Sequence, residues 1–400
     1  MMRIGLLKET KNPPDRRVPL APRQAAELRE KFPGTEVVAQ SSPIRCFADE
    51  EYTRQGVRVL DSIESCDVLM GVKEVAIPAL VAGRTFVFFS HTGKKQPYNR
   101  DMLREIIREK ITLVDYEYLT TPDGNRLVAF GRWAGIVGAY NGLRAWGLRH
   151  GTFRLKPAHE CFNLKELLEQ VRQLSLPPVR ILITGGGRVA HGAMETLAPL
   201  NMTKVTPAEY LSGKFDRPVY CQLDPGDYVR RRDGQPFSMK DFMEHPDRYE
   251  SAFLPYALKT DMYIPCHYWD PRSPVFLRKE DYLHPGFPVR VIADVSCDIG
   301  APIASTLRAS TIEEPFYGYH PQTGKEGPAF DKDHITVMAV DNLPGELPRD
   351  ASEDFGNSLL EYFFPALLSG DPEGMIRRAT IVKEGKLTER FGYLQDYVEG

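Results

Sequence analysis

A glycine-rich turn near the middle of the chain has the clearest chemical meaning. Gly185, Gly187 and Ala190 fit a G-x-G-x-x-A pattern. A short apolar run over residues 180–184 precedes the pattern, and residues 189–197 after it have helical spacing. A strand, a bare turn and a helix in this order let the backbone approach the pyrophosphate of a dinucleotide at a helix N-terminus. The alternative is a chance run of glycines at an ordinary strand-to-helix turn.

Lys73 and His91 are polar residues at the ends of apolar runs. Lys73 and Glu74 end the run over residues 67–72, and His91 ends the run over residues 85–90. In an open α/β sheet, ligands bind outside the carboxyl ends of the strands. Burial or a cationic neighbour lowers the pKa of a lysine so that it can act as a base, and imidazoles titrate near neutral pH. Both residues are candidates for acid–base chemistry, and the alternative is two solvated loop residues.

Two arginines could bind a substrate carboxylate. Arg17 follows the first predicted strand, and Arg126 stands in DGNRLVAFG. Arginine binds carboxylates through a bidentate fork, so two of them suit a dicarboxylate or an amino-acid substrate. Gln96 is compatible with the same pocket. For both arginines, the alternative is a surface salt bridge.

Asp294 follows a predicted strand over residues 289–293, in the segment VIADVSCDIG. An aspartate at this position can contact a nicotinamide ribose or hold a reacting group. Asp298, in the same segment, can equally cap a turn.

Composition excludes several classes of protein. The chain has 400 residues, which suggests two domains of roughly 100–200 residues each. Lys and Arg number 51 against 54 Asp and Glu, and this net charge of -3 gives no basic footprint for nucleic acid. No apolar run approaches membrane-spanning length, and the start MMRIGLLKET is not a signal peptide. The six cysteines are scattered and the nine histidines form no ligand cluster, which predicts a cytoplasmic protein without a metal site.

Short strands alternate with helices in the first third of the chain. Strands are predicted over residues 3–7, 36–39, 67–72, 85–90 and 112–116, and helices over residues 23–32, 50–55 and 99–109. This alternation predicts an α/β fold with a parallel sheet covered on both faces. Further along, the pattern predicts an apolar helix over residues 131–149, a strand over 335–340 and a long helix over 350–368.

The same pattern predicts the division into domains. Residues 1–134 with 325–400 are expected to form a substrate and catalytic domain. Residues 135–324 are expected to form a dinucleotide-binding domain, with a polar insertion near residues 222–257.

Taken together, these segments resemble the saccharopine dehydrogenase family, which includes the lysine–2-oxoglutarate reductase half of a bifunctional lysine-degrading enzyme. The alanine dehydrogenases are more distant relatives. The most specific segment is VDNLPGELPRDASEDFG at residues 340–356, and HPDRYESAF at residues 245–253 resembles the reductase half. The other matching segments are KETKNPPDRRVPLAP, the Lys73-Glu74 pair, FFSHTGKKQ, NRLVAFGRWAGIVGA, the glycine turn, ADVSCDIG and STIEEPFYGY.

The resemblance implies two Rossmann-like doubly wound domains with the active site in the cleft between them. It implies an oxidoreductase that interconverts saccharopine with L-lysine and 2-oxoglutarate, using NAD or NADP. By motif, Lys73 corresponds to the general base and His91 to the general acid. Substrate-contacting positions fall on Arg17, Gln96, Arg126 and Phe130. Cofactor-contacting positions fall on the turn glycines Gly185 and Gly187 and on Arg188, Tyr268, Asp294, Val295 and Ser296.

One departure leaves the choice of cofactor open. The strand after the glycine turn should end in an acidic residue for the ribose 2′-hydroxyl, roughly 20 residues on. Thr206 stands there, and Glu209 is a doubtful substitute. Without a carboxylate to repel its 2′-phosphate, NADP is an alternative to NAD. The arginine run over residues 230–232 could bind that phosphate, although a run of charged residues usually faces solvent.

Three alternatives to a saccharopine-forming enzyme stay open. The first is an amino-acid dehydrogenase of the alanine type, which makes a primary amine from a 2-oxo acid and ammonia. The second is another opine-type reductive aminase. The third is a nucleotide-binding protein without catalysis, against which the presence of both Lys73 and His91 argues. The expected partners are small amino-acid and 2-oxo-acid substrates, with no nucleic acid or membrane, in a monomer or homo-oligomer.

Overall fold

Eighteen strands and fourteen α-helices organise the chain in a computed structural model that describes residues 1–400. The strands are β1 (Met2–Leu6), β2 (Thr35–Gln40), β3 (Arg58–Leu60), β4 (Val68–Met70), β5 (Thr85–Phe88), β6 (Thr112–Asp115), β7 (Arg180–Thr184), β8 (Thr203–Lys204), β9 (Val219–Leu223), β10 (Val229–Arg231), β11 (Tyr249–Ser251), β12 (Met262–Pro265), β13 (Val291–Ala293), β14 (Phe316–Tyr319), β15 (Glu326–Gly327), β16 (Ile335–Met338), β17 (Thr380–Lys383) and β18 (Lys386–Leu387).

The helices fall between and after these strands. They are α1 (Pro22–Lys31), α2 (Asp49–Arg54), α3 (Arg100–Arg108), α4 (Gly131–His150), α5 (Leu164–Arg172), α6 (Arg188–Leu197), α7 (Pro207–Ser212), α8 (Pro225–Tyr228), α9 (Met239–Glu244), α10 (Leu254–Ala257), α11 (Pro348–Ser358), α12 (Phe364–Leu368), α13 (Met375–Ala379) and α14 (Gln395–Glu399). None of them combines the length and apolarity that crossing a bilayer needs.

Contacts within the chain define two units, one formed by Met1–Phe130 with Pro348–Gly400 and the other by Gly131–Leu347. The sequence predicts boundaries at residues 134 and 324 instead. The second boundary moves because β16 pairs in parallel with β13, so that this strand and the turn after it complete the second sheet. The local pattern of an apolar strand does not reveal which sheet the strand joins.

The first unit is built on an eight-stranded sheet of order β18-β17-β6-β5-β4-β1-β2-β3. Its strands β1 to β6 run parallel, and β17 and β18 add antiparallel pairs at one edge. Val68 and Met70 lie in one buried core cluster, and Leu69 between them lies in another. Because successive strand residues point to opposite faces, both faces of this sheet are covered, as the continuous apolar runs predict.

The second unit contains an eight-stranded sheet of order β15-β14-β16-β13-β12-β7-β9-β8. The strands from β16 to β8 are parallel to their neighbours in this order, and β14 and β15 are antiparallel. The predicted insertion contains a separate hairpin, β10–β11, together with α8, α9 and α10. The predicted α/β class with two Rossmann-like sheets is confirmed.

The long helix α4 packs against α6 through glycines. A Cβ atom on Gly135 would overlap the carbonyl oxygen of Val189, and one on Gly192 would overlap that of Arg132. The two backbones therefore approach more closely than any larger residue allows. This packing fixes α6, the helix that begins at the glycine turn.

Candidate functional site

Lys73 and His91 lie at the same edge of the first sheet. Lys73 stands three residues beyond β4, and His91 stands three residues beyond β5. Because β4 and β5 are parallel neighbours, their carboxyl ends meet. Glu74 joins the two loops, since its Oε1 lies 2.6 Å from Nδ1 of His91. The structure thus brings together the two residues that the sequence singles out for acid–base chemistry.

Glu74 is the charged partner of this pair. Only 9% of the residue is exposed, and Nζ of Lys11 lies 3.4 Å from its Oε2. Burial alone raises the pKa of a carboxyl, but the hydrogen bond and the charge of His91 outweigh it and lower the pKa of Glu74 to about 2. Glu74 is therefore a carboxylate at neutral pH and is placed to orient the imidazole of His91.

The loop that carries His91 is fixed by buried hydrogen bonds. Ser90 donates its backbone N–H and its hydroxyl to Oδ2 of Asp115, at 2.9 and 2.5 Å. The hydroxyl groups of Ser90 and Thr92 lie 2.8 Å apart, and Asn99 donates to the carbonyl of Ser90 at 3.0 Å. Residues on both sides of His91 are thus tied to the end of β6, which fixes the position of the imidazole.

Lys73 lies in an environment that favours the neutral amine. Burial lowers its pKa to about 8, and the positive charges of Arg17 and Lys11 add to the effect. Glu9 holds the backbone here, accepting the N–H of Val72 at 2.6 Å and that of Lys73 at 2.9 Å. Burial and the charge of Asp15 raise the pKa of Glu9 to about 8. Lys73 therefore has an environment suited to a base, and Glu9 fixes the backbone that carries it.

Arg17 is held by two neighbours. Its Nε and Nη2 donate to the two carboxylate oxygens of Asp15, at 3.0 and 2.7 Å. Its guanidinium lies over the ring of Phe130, 4.2 Å from the centroid, and Phe130 in turn stacks on Phe355 at 4.5 Å. Arg17 and Asp15 are each only 2% exposed. A guanidinium fixed in this way is preorganised for a planar anion.

Arg126 and Gln96 lie nearer the surface of the first unit. Nη2 of Arg126 donates to Oε1 of Glu117 at 2.8 Å, and Nζ of Lys94 approaches the same oxygen at 3.0 Å. Gln96 accepts a hydrogen bond from the hydroxyl of Tyr397 through its carbonyl, and its side chain is half-buried. Burial raises the pKa of Glu117, but the charges of Lys94 and Arg126, with a smaller contribution from His91, outweigh it and lower that pKa.

In the second unit, the glycine turn opens onto a cavity of about 920 Å³. Gly187 precedes the first residue of α6, so the N-terminus of this helix lies at the cavity. Six of the seven residues predicted to contact a cofactor line it, and they are Gly185, Gly187, Arg188, Tyr268, Val295 and Ser296. The sequence pattern therefore leads to one surface of the second unit.

Asp294 is the predicted cofactor residue that does not line this cavity. Its carboxylate accepts the backbone N–H of Cys297 at 3.1 Å and the hydroxyl of Thr306 at 2.5 Å. The residue is 1% exposed, and this burial raises its pKa to about 6. Its hydrogen bonds shape the loop that carries Val295 and Ser296, so Asp294 supports the cavity wall from behind.

The turn residues fit the pyrophosphate of a dinucleotide. Gly185 has φ 105°, and a Cβ atom there would lie 2.6 Å from the carbonyl oxygen of Cys266. A Cβ atom on Gly187 would instead meet no protein atom within 4 Å, so open space lies above the helix N-terminus. His267 lines the same cavity with a buried Nε2 that has no hydrogen-bond partner in the protein. The glycine turn thus offers exposed backbone N–H groups, open space above Gly187 and the unpaired Nε2 of His267, and these features suit an anionic ligand.

The residues considered for the ribose, Thr206 and Glu209, and the arginine run considered for a 2′-phosphate make contacts with other residues. Thr206 and Glu209 form a capping box at the start of α7, where Oε2 of Glu209 accepts the backbone N–H of Thr206 at 2.8 Å. In the arginine run, Arg230 pairs with Glu250 at 2.7 Å. Arg231 pairs with both Asp233 and Asp241, at 2.6 and 3.0 Å. None of these residues lines the cavity at the glycine turn.

Sequence reasoning missed three acidic partners. Glu74, Asp15 and Asp224 hold His91, Arg17 and the glycine turn respectively. The first two stand one residue after Lys73 and two residues before Arg17, and this closeness to a candidate was an available signal. Asp224 has no such signal, because its neighbourhood depends on the strand order of the sheet.

Comparison with known proteins gives three kinds of match. The family described as "Alanine dehydrogenase/PNT, N-terminal domain" matches residues 5–137. An alpha-aminoadipic semialdehyde synthase of Arabidopsis thaliana is 30% identical over 98% of this chain, and the mitochondrial enzyme of that name from Mus musculus is 31% identical over 98%. A saccharopine dehydrogenase [NAD(+), L-lysine-forming] of Neurospora crassa is 28% identical over 92% of this chain and 90% of its own length.

The chain is similar to proteins named saccharopine dehydrogenase and alpha-aminoadipic semialdehyde synthase. The predicted resemblance is therefore confirmed. The chain spans 41% of the Arabidopsis synthase and 47% of the mouse synthase, which is less than half of each.

Solved structures show the same fold in more distant proteins. An L-alanine dehydrogenase covers 100% of this chain with a TM-score of 0.69 at 18% identity. A transhydrogenase from Sinorhizobium meliloti covers 96% of it with a TM-score of 0.59 at 13% identity. At these identities the likeness shows only the fold of the chain.

Proposed function

We propose that this protein is a nicotinamide-dependent oxidoreductase of CH–NH bonds that interconverts saccharopine with L-lysine and 2-oxoglutarate. The observation that carries the proposal is Lys73, with a pKa lowered to about 8, next to the Glu74–His91 pair at one edge of the sheet. The names of the relatives support the same reaction class. A site of this kind can both remove and deliver protons near neutral pH.

Lys73 is proposed as the general base. Oxidation of saccharopine removes a hydride from the carbon next to a secondary amine, and the amine must lose a proton as the imine forms. A lysine with a pKa of about 8 is neutral in a substantial fraction of molecules at neutral pH and can accept that proton. Its position is set by Glu9 through the backbone N–H groups of Val72 and Lys73.

His91 is proposed as the general acid for the hydrolytic half of the reaction. Water adds to the imine to give a carbinolamine, whose collapse to 2-oxoglutarate and lysine requires protonation of the departing amine. The carboxylate of Glu74, 2.6 Å from Nδ1, stabilises the protonated imidazole and leaves Nε2 to act on the substrate. Glu74 is a positioning residue in this proposal.

The arginines are proposed to bind substrate carboxylates. Saccharopine has three carboxylate groups, and 2-oxoglutarate has two, so several cations are needed. Arg17 supplies a guanidinium whose position is fixed by Asp15 and Phe130, and Arg126 supplies a second guanidinium near the surface. Gln96 is proposed to add a neutral hydrogen bond from the loop after His91.

A nicotinamide dinucleotide bound at the glycine turn would accept the hydride in oxidation and supply it in the reverse direction. The residues proposed to hold it are the glycines of the turn, Arg188, Tyr268, Val295 and Ser296, all at the cavity of the second unit.

The test follows nicotinamide absorbance with purified protein, L-lysine and 2-oxoglutarate, using NADH and NADPH in parallel. The proposal expects oxidation that requires both substrates and that is lost in Lys73→Met. The matched control is Lys31→Met, since Lys31 is an exposed lysine of α1 that pairs only with Glu27. Turnover of the Lys73→Met protein at the rate of the control would refute the assigned base.

An alanine-type dehydrogenase is the second candidate, because a family description that names alanine dehydrogenase matches residues 5–137. The same assay separates the two when ammonia and pyruvate replace lysine and 2-oxoglutarate. Activity only with ammonia would favour the alanine type, and activity only with a different amine would favour another opine-type enzyme. Cofactor binding without turnover on any of these pairs would favour a non-catalytic nucleotide-binding protein.

A further inference from the structure

The loop that carries His91 has an unusual backbone. His91 has φ 53° and Lys95 has φ 55°, so two residues within five positions adopt the left-handed conformation although neither is glycine. This conformation is unfavourable for a residue with a Cβ atom, and it persists only where surrounding contacts determine it. Contacts from other elements must therefore hold the His91 loop (residues 91–97), which also carries Gln96.

The second half of the His91 loop contacts a segment that is distant in sequence. This tyrosine segment (residues 389–399) follows β18 and is a short 3-10 helix that leads into α14. The hydroxyl of Tyr393 donates to the carbonyl of Gly93 at 2.8 Å, and the hydroxyl of Tyr397 donates to the carbonyl of Gln96. Two side chains of one segment thus bind the loop backbone at positions two and five residues after the imidazole.

The tyrosine segment is itself fixed in the first unit. Three of its side chains belong to the buried cluster on one face of the first sheet, and they are Phe391, Leu394 and Tyr397. At the other end of the segment, Arg104 of α3 donates to the carbonyls of Val398 and Glu399, at 2.6 and 3.2 Å. The two tyrosine hydroxyls are therefore presented to the loop by a rigid support.

Close packing adds to these hydrogen bonds. A Cβ atom on Gly93 would overlap the hydroxyl oxygen of Tyr118, so the loop lies directly against this ring. The ring of Phe391 packs edge-on against Tyr118, with centroids 4.8 Å apart. Nζ of Lys95 lies over the ring of Tyr393, 5.8 Å from its centroid. The tyrosine segment therefore contacts the loop both through its hydroxyls and through its rings.

We propose that Tyr393 and Tyr397 are positioning residues that hold the His91 loop in the conformation required for acid catalysis. This inference rests on the proposed roles of His91 and Gln96 in the reaction. Each hydroxyl acts through a backbone carbonyl and not on the substrate. Without the two hydrogen bonds, the loop gains access to other backbone conformations, and the imidazole is no longer held next to Glu74 in every molecule.

The first measurement is amide hydrogen exchange, read by mass spectrometry of the peptides that cover residues 91–99. The double variant Tyr393→Phe with Tyr397→Phe keeps both rings and removes only the two hydroxyls. We expect exchange over residues 91–99 to become at least about tenfold faster, because local opening then breaks two fewer hydrogen bonds. The matched control is Tyr140→Phe, which removes a hydroxyl that donates to a backbone carbonyl of the second unit and should leave this exchange unchanged.

The second measurement is kcat/KM with L-lysine, 2-oxoglutarate and NADH. The double variant should lower it by about tenfold, because small displacements of a catalytic group slow proton transfer strongly. In a His91→Gln protein, the same two changes should lower it by less than about threefold, since the main group that the tyrosines position is then absent. A merely structural role would lower kcat/KM by the same factor in both backgrounds. The dissociation constant of NADH should stay unchanged throughout.

Faster exchange together with the unequal kinetic losses would support the inference. Unchanged exchange over residues 91–99 in the folded double variant overturns it, and so do equal losses of kcat/KM in the two backgrounds. If the double variant does not fold, Arg104→Gln, which frees the other end of the tyrosine segment, takes its place with the same expectations.

The two measurements also separate this inference from the proposed reaction. Faster exchange in the variant, in a protein that does not turn over lysine and 2-oxoglutarate, would show that the tyrosine segment holds the loop and would refute the proposed reaction. Turnover by the unmodified protein, with neither exchange nor kcat/KM changed in the double variant, would do the reverse.

Discussion

At the scale of single residues, the chemistry of the first unit depends on carboxylates that surround two cations. Glu74 holds His91, Asp15 holds Arg17, and Glu9 holds the backbone of Lys73. The pairs with Glu74 and Asp15 fix side chains that would otherwise sample several rotamers, and Glu9 fixes the backbone that carries Lys73. Acid–base catalysis requires groups at such defined positions. Burial and these contacts also set the protonation states. Burial lowers the pKa of Lys73, and the hydrogen bond with His91 lowers the pKa of Glu74 against the opposing effect of burial.

Replacement of Lys73 by methionine should lower kcat/KM for saccharopine oxidation by about 10²–10⁴-fold.

The pH profile gives a second test. The base acts when neutral, so kcat/KM of the unmodified protein should rise with pH and level off above about 8. A residual rate of the Lys73→Met protein should lack this limb. A limb near pH 8 that persists in the variant would contradict the assignment.

Replacement of Glu74 by glutamine should change the dependence of stability on pH. The pKa of Glu74 is lowered in the folded protein from 4.5 to about 2, so its stabilising contribution is present above pH 4.5 and is lost as the pH falls towards 2. The free energy of unfolding should drop by up to about 3 kcal/mol at neutral pH.

Urea denaturation at a series of pH values measures this change. The difference between the unmodified protein and Glu74→Gln should shrink steadily below pH 4.5. Glu27→Gln, at a half-buried position of α1 where the carboxylate pairs with Lys31, is the control and should change the free energy of unfolding by less than about 0.5 kcal/mol. A difference that stays constant down to the acid transition would show that Glu74 is not held as a charged partner.

At the scale of elements, the strand, turn and helix from β7 to α6 determine where an anion can lie. The two outer glycines of the turn are required for different reasons. Gly185 has φ 105°, and a Cβ atom there would lie 2.6 Å from the carbonyl oxygen of Cys266, so the fold itself requires glycine at this position. Gly187 faces open space, so it is needed only when a ligand approaches.

This contrast predicts separate effects of two alanine substitutions. Gly187→Ala should leave the melting temperature within about a degree of the unmodified value and weaken NADH binding by at least about tenfold, because the added methyl group lies where the pyrophosphate is expected. Gly185→Ala should weaken binding and also lower the melting temperature. Unchanged NADH affinity of a folded Gly187→Ala protein would place the dinucleotide elsewhere.

The packing of α4 on α6 predicts another contrast within one helix. Gly135→Ala should destabilise the second unit by about 1–3 kcal/mol, because its Cβ atom would overlap the backbone of α6. Gly131→Ala should be close to neutral, since its Cβ atom would meet side-chain atoms rather than backbone, a methyl group of Val189 at 3.3 Å and Cβ of Arg188 at 3.7 Å. Urea denaturation of both variants measures the difference, and equal stabilities would contradict the close approach of the two helices.

The sequence predicts elements well and their neighbours poorly. β7 has the same bounds as the apolar run over residues 180–184. The segment predicted as one helix over residues 350–368 is helical throughout, with a π-helical turn at Leu359–Phe363. Local periodicity carries this information. The exchange of β8 and β9 depends on long-range pairing, which no local pattern reveals. For that reason the sequence points to Thr206 for the ribose, while the structure has Asp224 next to the turn.

At the scale of the whole molecule, the residues proposed for proton transfer and those proposed to bind a dinucleotide belong to different units. Lys73, His91 and Arg17 lie in the first unit, and the glycine turn lies in the second. A net charge of -3 attracts or repels charged substrates only weakly, so local groups such as the fixed arginines determine which substrate binds. The account therefore predicts that a change in either unit abolishes turnover, while only a change in the second weakens cofactor binding.

The most direct test of the proposed reaction identifies the product. The protein is incubated with L-lysine, 2-oxoglutarate and NADH that carries deuterium at the transferable position, and the product is analysed by mass spectrometry. The account predicts saccharopine with one deuterium on the carbon that was the carbonyl carbon of 2-oxoglutarate. The absence of labelled saccharopine, together with labelled alanine from a parallel reaction with ammonia and pyruvate, would contradict it.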